Sequence, residues 1–197
     1  MREVIDYYDY LIDEGNDPVY DSAPLREYMD KWDGQSFIDK MQLDNTKSVF
    51  EIGVGTGRLA VRIAHLCRSF TGIDFSQKTI KKARINIPLS NVNLICDDFL
   101  SYKFESKFDV IYSSLTFMHI ENKIGAISKV ADLLNDNGRF ILSIDKNRDA
   151  FINYGSRTIK IYPDDPAEIP QYMNSAGLII YEMYETEHAY IFSAGKG

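Results

Sequence analysis

The stretch Val49-Phe50-Glu51-Ile52-Gly53-Val54-Gly55-Thr56-Gly57-Arg58 decides how the chain is read. An apolar run ends in a glycine turn, and Leu59, Ala60, Ile63, Ala64 and Leu66 then recur at helical spacing. Strand, turn and helix together predict a nucleotide-binding unit. Glycine serves such a turn because a Cβ would obstruct the tight backbone and its approach to a ligand. The dinucleotide fingerprint GxGxxG places its third glycine three residues after the second. Here that position is Arg58, and the third glycine comes one residue early, at Gly57. Glu51 adds a carboxylate at the strand end, which would repel a pyrophosphate and suits a cationic or amino-bearing ligand.

Working outward, further apolar runs alternate with helical patterns. Phe70-Thr71-Gly72-Ile73 ends in Asp74, Asn93-Leu94-Ile95-Cys96 ends in Asp97-Asp98, and Phe108 to Tyr112 leads to Ser113-Ser114. A fifth strand is expected over Arg139 to Ile144. Helices are expected over Gln77 to Asn86, Ile120 to Leu134 and Pro166 to Ala176, with Gly138 and Gly177 as helix-ending residues. Near the end, Leu178 to Tyr184 and His188 to Ser193 are separated by a few polar residues, which predicts an antiparallel hairpin. The fold class expected is α/β: a mostly parallel, seven-stranded, doubly wound sheet with a C-terminal antiparallel hairpin and helices on both faces.

Ligands of open parallel sheets lie beyond the carboxyl ends of the strands. Asp74, 17 residues after Gly57, is placed to accept from both hydroxyls of a ribose. Asp97 can accept from an adenine amino group, the backbone at Asp98 and Phe99 can serve the ring nitrogens, and Phe75 can line the ring's apolar side. An acid after the second strand fits a dehydrogenase equally well, so Arg58 is the discriminating position.

The pattern E-x-G-x-G-x-G over Glu51–Gly57 resembles motif I of the class I, Rossmann-like S-adenosylmethionine-dependent methyltransferases. The resemblance is strong over about residues 47–145 and general over the hairpin. It implies S-adenosylmethionine as cofactor, with Glu51, Gly53, Gly55, Asp74 and Asp97 at cofactor positions and Gly57 in the same turn. It also implies that Ser113 lies beside the methionine portion. His119 is the one candidate base, the alternative being a histidine packed beneath the cofactor or bonded to a loop carbonyl. In such relatives the segment before the first strand often caps the cofactor. Residues 1–44 are therefore expected to form a helical lid, with Tyr28 and Trp32 closing the pocket, and 45–197 the Rossmann-like domain. Leu25, Tyr28, Met29 and Trp32 share one helical face. Tyr112, Tyr154 and Asp145 are lesser pocket candidates, and the segment from Asn147 to Tyr162 is expected on the acceptor side.

Composition narrows the partners. The 197 residues carry a net charge of −7. Residues 1–34 hold ten acidic against three basic side chains, which accounts for all of it. No basic stripe suits nucleic acid. The place after the fourth strand holds Ser113-Ser114-Leu115-Thr116 rather than an Asn/Asp-Pro-Pro-Tyr motif. Two cysteines without a CxxC, and no clustered histidines, argue for a reducing, cytoplasmic setting and against a metal site. No apolar run is long enough for a membrane span. The reading is therefore methyl transfer to O or N of a small-molecule acceptor, by in-line displacement through proximity and orientation. The alternatives are a non-catalytic S-adenosylmethionine-binding homologue, a methyltransferase acting on a protein side chain, or a nucleotide-dependent oxidoreductase. Oligomeric state is not legible.

Overall fold

The structure is a computed structural model that describes residues 2–154 and 157–197, with the side chain of Tyr154 outside what is described. In chain order the strands are β1 Ser48–Ile52, β2 Ser69–Asp74, β3 Val92–Cys96, β4 Phe108–Ser114, β5 Leu134–Asp145, β6 Phe151–Tyr154, β7 Arg157–Lys160, β8 Ile179–Glu185 and β9 Ala189–Gly195. The helices are α1 Arg2–Asp13, α2 Ala23–Met29, α3 Gly34–Asp39, α4 Ala60–Ile63, α5 Gln77–Asn86, α6 Lys123–Leu133 and α7 Ile169–Ser175. Seven strands form one sheet in the order β3-β2-β1-β4-β5-β9-β8. Strands β1 to β5 pair in parallel, and β9 runs antiparallel to both β5 and β8. Strands β6 and β7 form a separate hairpin.

This order creates the site. The chain steps from β1 to β2 to β3 on one side, then returns to place β4 on the other side of β1. The connections diverge at the carboxyl ends of β1 and β4, and such a divergence opens a crevice. The period-two alternation of β1 divides the core between two faces. Val49 packs with Phe37 and Ile38 of α3, Ile63 of α4 and Ile80 of α5. Phe50 and Ile52 pack with Ile127 and Val130 of α6 and Met173 of α7. Each fully buried large side chain of this kind contributes about 1.5–3 kcal/mol by leaving water.

Several local expectations are corrected. The helix after the glycine turn is brief: α4 has four residues and continues as one 3₁₀ turn, Ala64–Leu66, which leaves Leu66 exposed. Gly138 does not end the helix before it, which stops at Leu133. Asn137 takes the left-handed conformation instead, at φ 60°, and β5 is already paired from Leu134. Helix α6 starts at Lys123 rather than Ile120, because the Asn122 side chain accepts from the Gly125 N–H at 2.9 Å. Helix α2 buries none of its residues and ends before Trp32. Helix α1 falls within residues 1–44, where helix was expected, whereas the β6–β7 hairpin was not foreseen, and the two meet. Tyr7 of α1 packs with Met118, Ile159 and Ile161 in a third, small core.

Candidate functional site

Beyond the carboxyl ends of β1, β2 and β4 lies a cavity of about 660 Å³, within the range usual for small-molecule sites. Its floor is the glycine turn. Gly53 and Gly55 have φ of 79° and 56°, values that L side chains resist. A Cβ on Gly53 would lie 2.0 Å from Thr116 Oγ1, so the turn after β4 can close on β1 only over a bare backbone. A Cβ on Gly55 would meet no protein atom within 4 Å. Gly57 serves the fold and does not line the cavity, since a Cβ there would run into Ile87 Cδ1 at 2.6 Å.

Glu51 stands opposite Tyr112 in the β1–β4 register and is almost wholly buried. Tyr112 Oη donates to Glu51 Oε2 at 2.8 Å. Burial pushes the carboxyl up to about 8, against the lowering effects of the Tyr112 bond and of Arg58. Tyr112 is thus a partner of Glu51 rather than a wall of the cavity. Asp74, at the end of β2, accepts from Gly55 N–H at 3.1 Å and Ser76 N–H at 2.9 Å. Burial raises its carboxyl, and those backbone donors oppose the rise. A carboxylate has about four lone-pair directions, so two donors leave acceptor capacity facing the cavity. Asp97 follows β3, its N–H bonded to the Asp74 carbonyl at 3.1 Å and its Oδ1 to the Asp98 N–H at 2.7 Å. Phe75, Asp98 and Phe99 also line the cavity. The structure thus brings Glu51, Gly53, Gly55, Asp74, Phe75, Asp97, Asp98, Phe99 and His119 together around one space.

Besides Gly57 and Tyr112, four expected residues do not line it: Ser113, Tyr28, Trp32 and Asp145. Ser113 is fully buried and turned away, donating to the Ile52 carbonyl at 3.0 Å. Because successive strand residues alternate, Ser114 lines the cavity instead. Tyr28 and Trp32 pack on the ring of His188 in the β8–β9 turn, with centroids at 5.6 and 4.5 Å. Trp32 is held there as its carbonyl accepts from Ser143 Oγ. Asp145 caps its own turn by accepting from Asn147 N–H.

The N-terminal segment contributes residues to the cavity wall that the sequence reading did not name. Val4 and Tyr8 of α1, Pro18 and Met29 line it. Tyr8 Oη lies 2.8 Å from His119 Nε2. Burial first, and the Lys123 charge second, hold the imidazole down at about 4, so it is neutral near pH 7. Leu115 adopts φ 55°, a strained setting for a non-glycine residue, at the rim of the same cavity. From the β6–β7 side, Lys160 and Tyr162 complete the wall, within the segment expected to face an acceptor. Arg58, conspicuous as the non-glycine of the turn, reaches back to Asp33 in a bidentate ion pair. Ser114 Oγ and Gly34 N–H also donate to Asp33. No helix of the described residues is long and apolar enough to cross a membrane, and they contain no group of three or more His, Cys, Asp or Glu side chains placed to hold a metal.

The sheet order, glycine turn and strand-end acids define the class I, Rossmann-like methyltransferase fold. A methyltransferase-domain profile matches residues 43–184, and the chain belongs to that family. An uncharacterized methyltransferase from Bacillus mycoides is 32% identical over 98 residues, which is 49% of this chain and 46% of that protein. The chain thus matches less than half the length of that curated relative. Among solved structures, the DhpI–SAH complex superposes with a TM-score of 0.76 at 16% identity, covering 100% of this chain and 96% of that one. An S-adenosylmethionine-dependent methyltransferase from Clostridium acetobutylicum gives 0.70 at 16% identity, covering 100% and 98%.

Proposed function

We propose that this chain is an S-adenosylmethionine-dependent methyltransferase that moves a methyl group to O or N of a small molecule. The observation that carries the reading is the convergence of Glu51, Asp74 and Asp97 on a cavity floored by the bare backbone of Gly53 and Gly55. Three acids from three adjacent strands suit an amino-bearing, ribose-bearing, cationic ligand, whose charge would draw the proton from Glu51. Asp74, already fixed by two backbone donors, would hold the ribose hydroxyls. Asp97 and the backbone of Asp98 and Phe99 would take the adenine, with Phe75 at its apolar side. Glu51, at the deep end, would face the ammonium.

When bound, S-adenosylmethionine supplies an electrophilic methyl on a sulfonium, a leaving group that needs no further activation. The protein's task is then alignment, which can lower a barrier by about 7–11 kcal/mol. Val4, Tyr8, Leu115, Ile120 and Tyr162 give the remaining space an apolar character that would exclude water and seat an organic acceptor. Where the acceptor carries a proton, the neutral imidazole of His119 is the base at hand, an effect of about 10²–10⁴-fold. The roofed cavity favours a small molecule over a protein side chain, and the absence of a basic stripe disfavours nucleic acid. Unpaired Cys67 and Cys96 fit a cytoplasmic setting.

Calorimetry with S-adenosylhomocysteine and with NAD tests the cofactor reading: binding of the first and none of the second is expected. Transfer of tritiated methyl from S-adenosylmethionine into a metabolite extract separates a working enzyme from a binding homologue. Label found only in protein would move the acceptor to a side chain.

A further inference from the structure

The contact between Tyr8 and His119 joins the helix that roofs the cavity to the candidate base beneath it. The two rings meet edge to face, with centroids 5.4 Å apart and planes at 90°, and Tyr8 also touches Phe75 at 6.3 Å. Tyr8 therefore sits between the adenine wall and the base, on an element that belongs to neither. The other ring nitrogen, Nδ1, is buried without a hydrogen-bond partner among the described residues, so Nε2 carries the whole of this imidazole's hydrogen bonding to them.

The attachments of α1 are of two kinds. Tyr7 is bedded in the small core with Met118, Ile159 and Ile161. Val4, Tyr8 and Leu11 pack against that same core. The polar ties lie along the rim: Ser76 Oγ donates to Asp9 at 2.6 Å, Lys78 pairs with Asp13 at 2.6 Å, and Glu14, just past the helix, pairs with Arg157, the side chains of Lys78 and Asp13 being substantially exposed. Exposed pairs hold weakly. Beyond the helix comes Gly15, at φ 81° with nothing within 4 Å of where a Cβ would be. Two residues later the chain is fixed again, since Asp17 accepts from Asn86 Nδ2 at 3.1 and 3.2 Å and pairs with Lys82. A glycine that ends the helix, its N–H bonded to the Ile12 carbonyl at 3.0 Å, and that a fixed anchor follows directly is where such an element would turn.

We propose that α1 is a gate hinged at Gly15, that the Tyr8 hydroxyl latches it by holding His119 Nε2, and that an acceptor reaches that nitrogen only by displacing Tyr8. The gate and its latch stand on the geometry alone. The last clause rests on the methyl-transfer reading. Roof opening and use of the base become alternatives at one atom: closed and unoccupied, the site has its base engaged.

Hydrogen exchange of the full chain, with and without S-adenosylhomocysteine, tests this in Tyr8→Phe, which keeps the ring and loses the hydroxyl. One hydrogen bond of ordinary net strength corresponds to about two- to tenfold in an opening equilibrium. Exchange over residues 2–13 is expected to rise by that factor in the free protein, with β1 and α5 unchanged, and S-adenosylhomocysteine to dissociate faster to a similar degree. His119→Asn added to Tyr8→Phe is expected to bring no further acceleration, because the latch is already gone. Unchanged exchange over 2–13, or an acceleration spread evenly through the sheet, overturns the latch. Complete failure to bind S-adenosylhomocysteine would overturn the cofactor reading instead, and exchange in the free protein would still decide on the gate.

Discussion

Asp33 and Arg58 form a bidentate ion pair that ties the segment before β1 to the glycine turn, with Asp33 Oδ1 3.1 Å from Arg58 Nη1. Arg58 occupies the position where a dinucleotide turn has its third glycine. Its side chain is mostly covered and that of Asp33 completely so. Removing one member of a buried pair strands the other charge, at a cost of about 3–5 kcal/mol. Arg58→Ala is therefore expected to lower stability by about that amount in urea unfolding. Because the cost lies in stranding a charge, removing both charges in Asp33→Asn combined with Arg58→Met is expected to recover part of the loss. A loss below about 1 kcal/mol for Arg58→Ala would mean that the pair is not structural.

Glu51 makes stability depend on pH in a direction opposite to the usual carboxylate. Its folded value of about 8 lies above the ordinary 4.5 because burial disfavours the charge. The folded chain thus keeps a proton that the unfolded chain releases between pH 4.5 and 8, and stability falls as pH rises through that window. Thermal melts of Glu51→Gln are expected to be flatter than wild type over this range, and higher at pH 8–9. A cationic ligand beside Glu51 should pull its proton off. Calorimetry of S-adenosylmethionine in two buffers of different ionisation enthalpy is expected to show net proton release near pH 7, absent in Glu51→Gln. Identical melts for the two proteins from pH 5 to 9 would contradict the assignment.

Gly53 and Gly55 separate fold from binding. Gly53→Ala drives a Cβ into the Thr116 side chain, and is expected to destabilise by more than the roughly 1 kcal/mol of a left-handed alanine. Gly55→Ala carries only that conformational cost, since no protein atom opposes its Cβ. Its methyl would instead stand in the space proposed for the cofactor. The expected outcome is a small change in melting temperature for Gly55→Ala, with at least tenfold weaker S-adenosylhomocysteine binding. Equal affinity in Gly55→Ala and wild type would move the cofactor off this turn.

Much of this was legible in the chain because it rests on short-range pattern. The alternation Val49-Phe50-Glu51-Ile52, the early Gly57 and the acids Asp74 and Asp97 specified the sheet and the floor of the cavity from local residue types. What escaped depended on direction and distance. Ser113 and Ser114 both end a strand, and only the parity of the pleat says which faces the cavity. Tyr28 and Trp32 share an apolar stripe, but its partner is His188, 156 residues beyond Trp32, and no local signal points there. Tyr8 lay in an acidic run whose helix is visible from its apolar positions Val4, Ile5, Tyr8 and Leu11, which recur at helical spacing. The segment was expected to be helical, but its apolar side was not assigned to the cavity. The brief α4 defied its apolar spacing because the chain turns into β2 directly after Leu66.

The central claim is that Asp74 and the glycine turn hold the ribose of S-adenosylmethionine. Calorimetric titration of S-adenosylhomocysteine into wild type and Asp74→Ala tests it most directly. The account predicts saturable 1:1 binding to wild type, weakened at least tenfold in Asp74→Ala while the variant remains folded. Affinity unchanged by Asp74→Ala, or no binding to wild type, would contradict it.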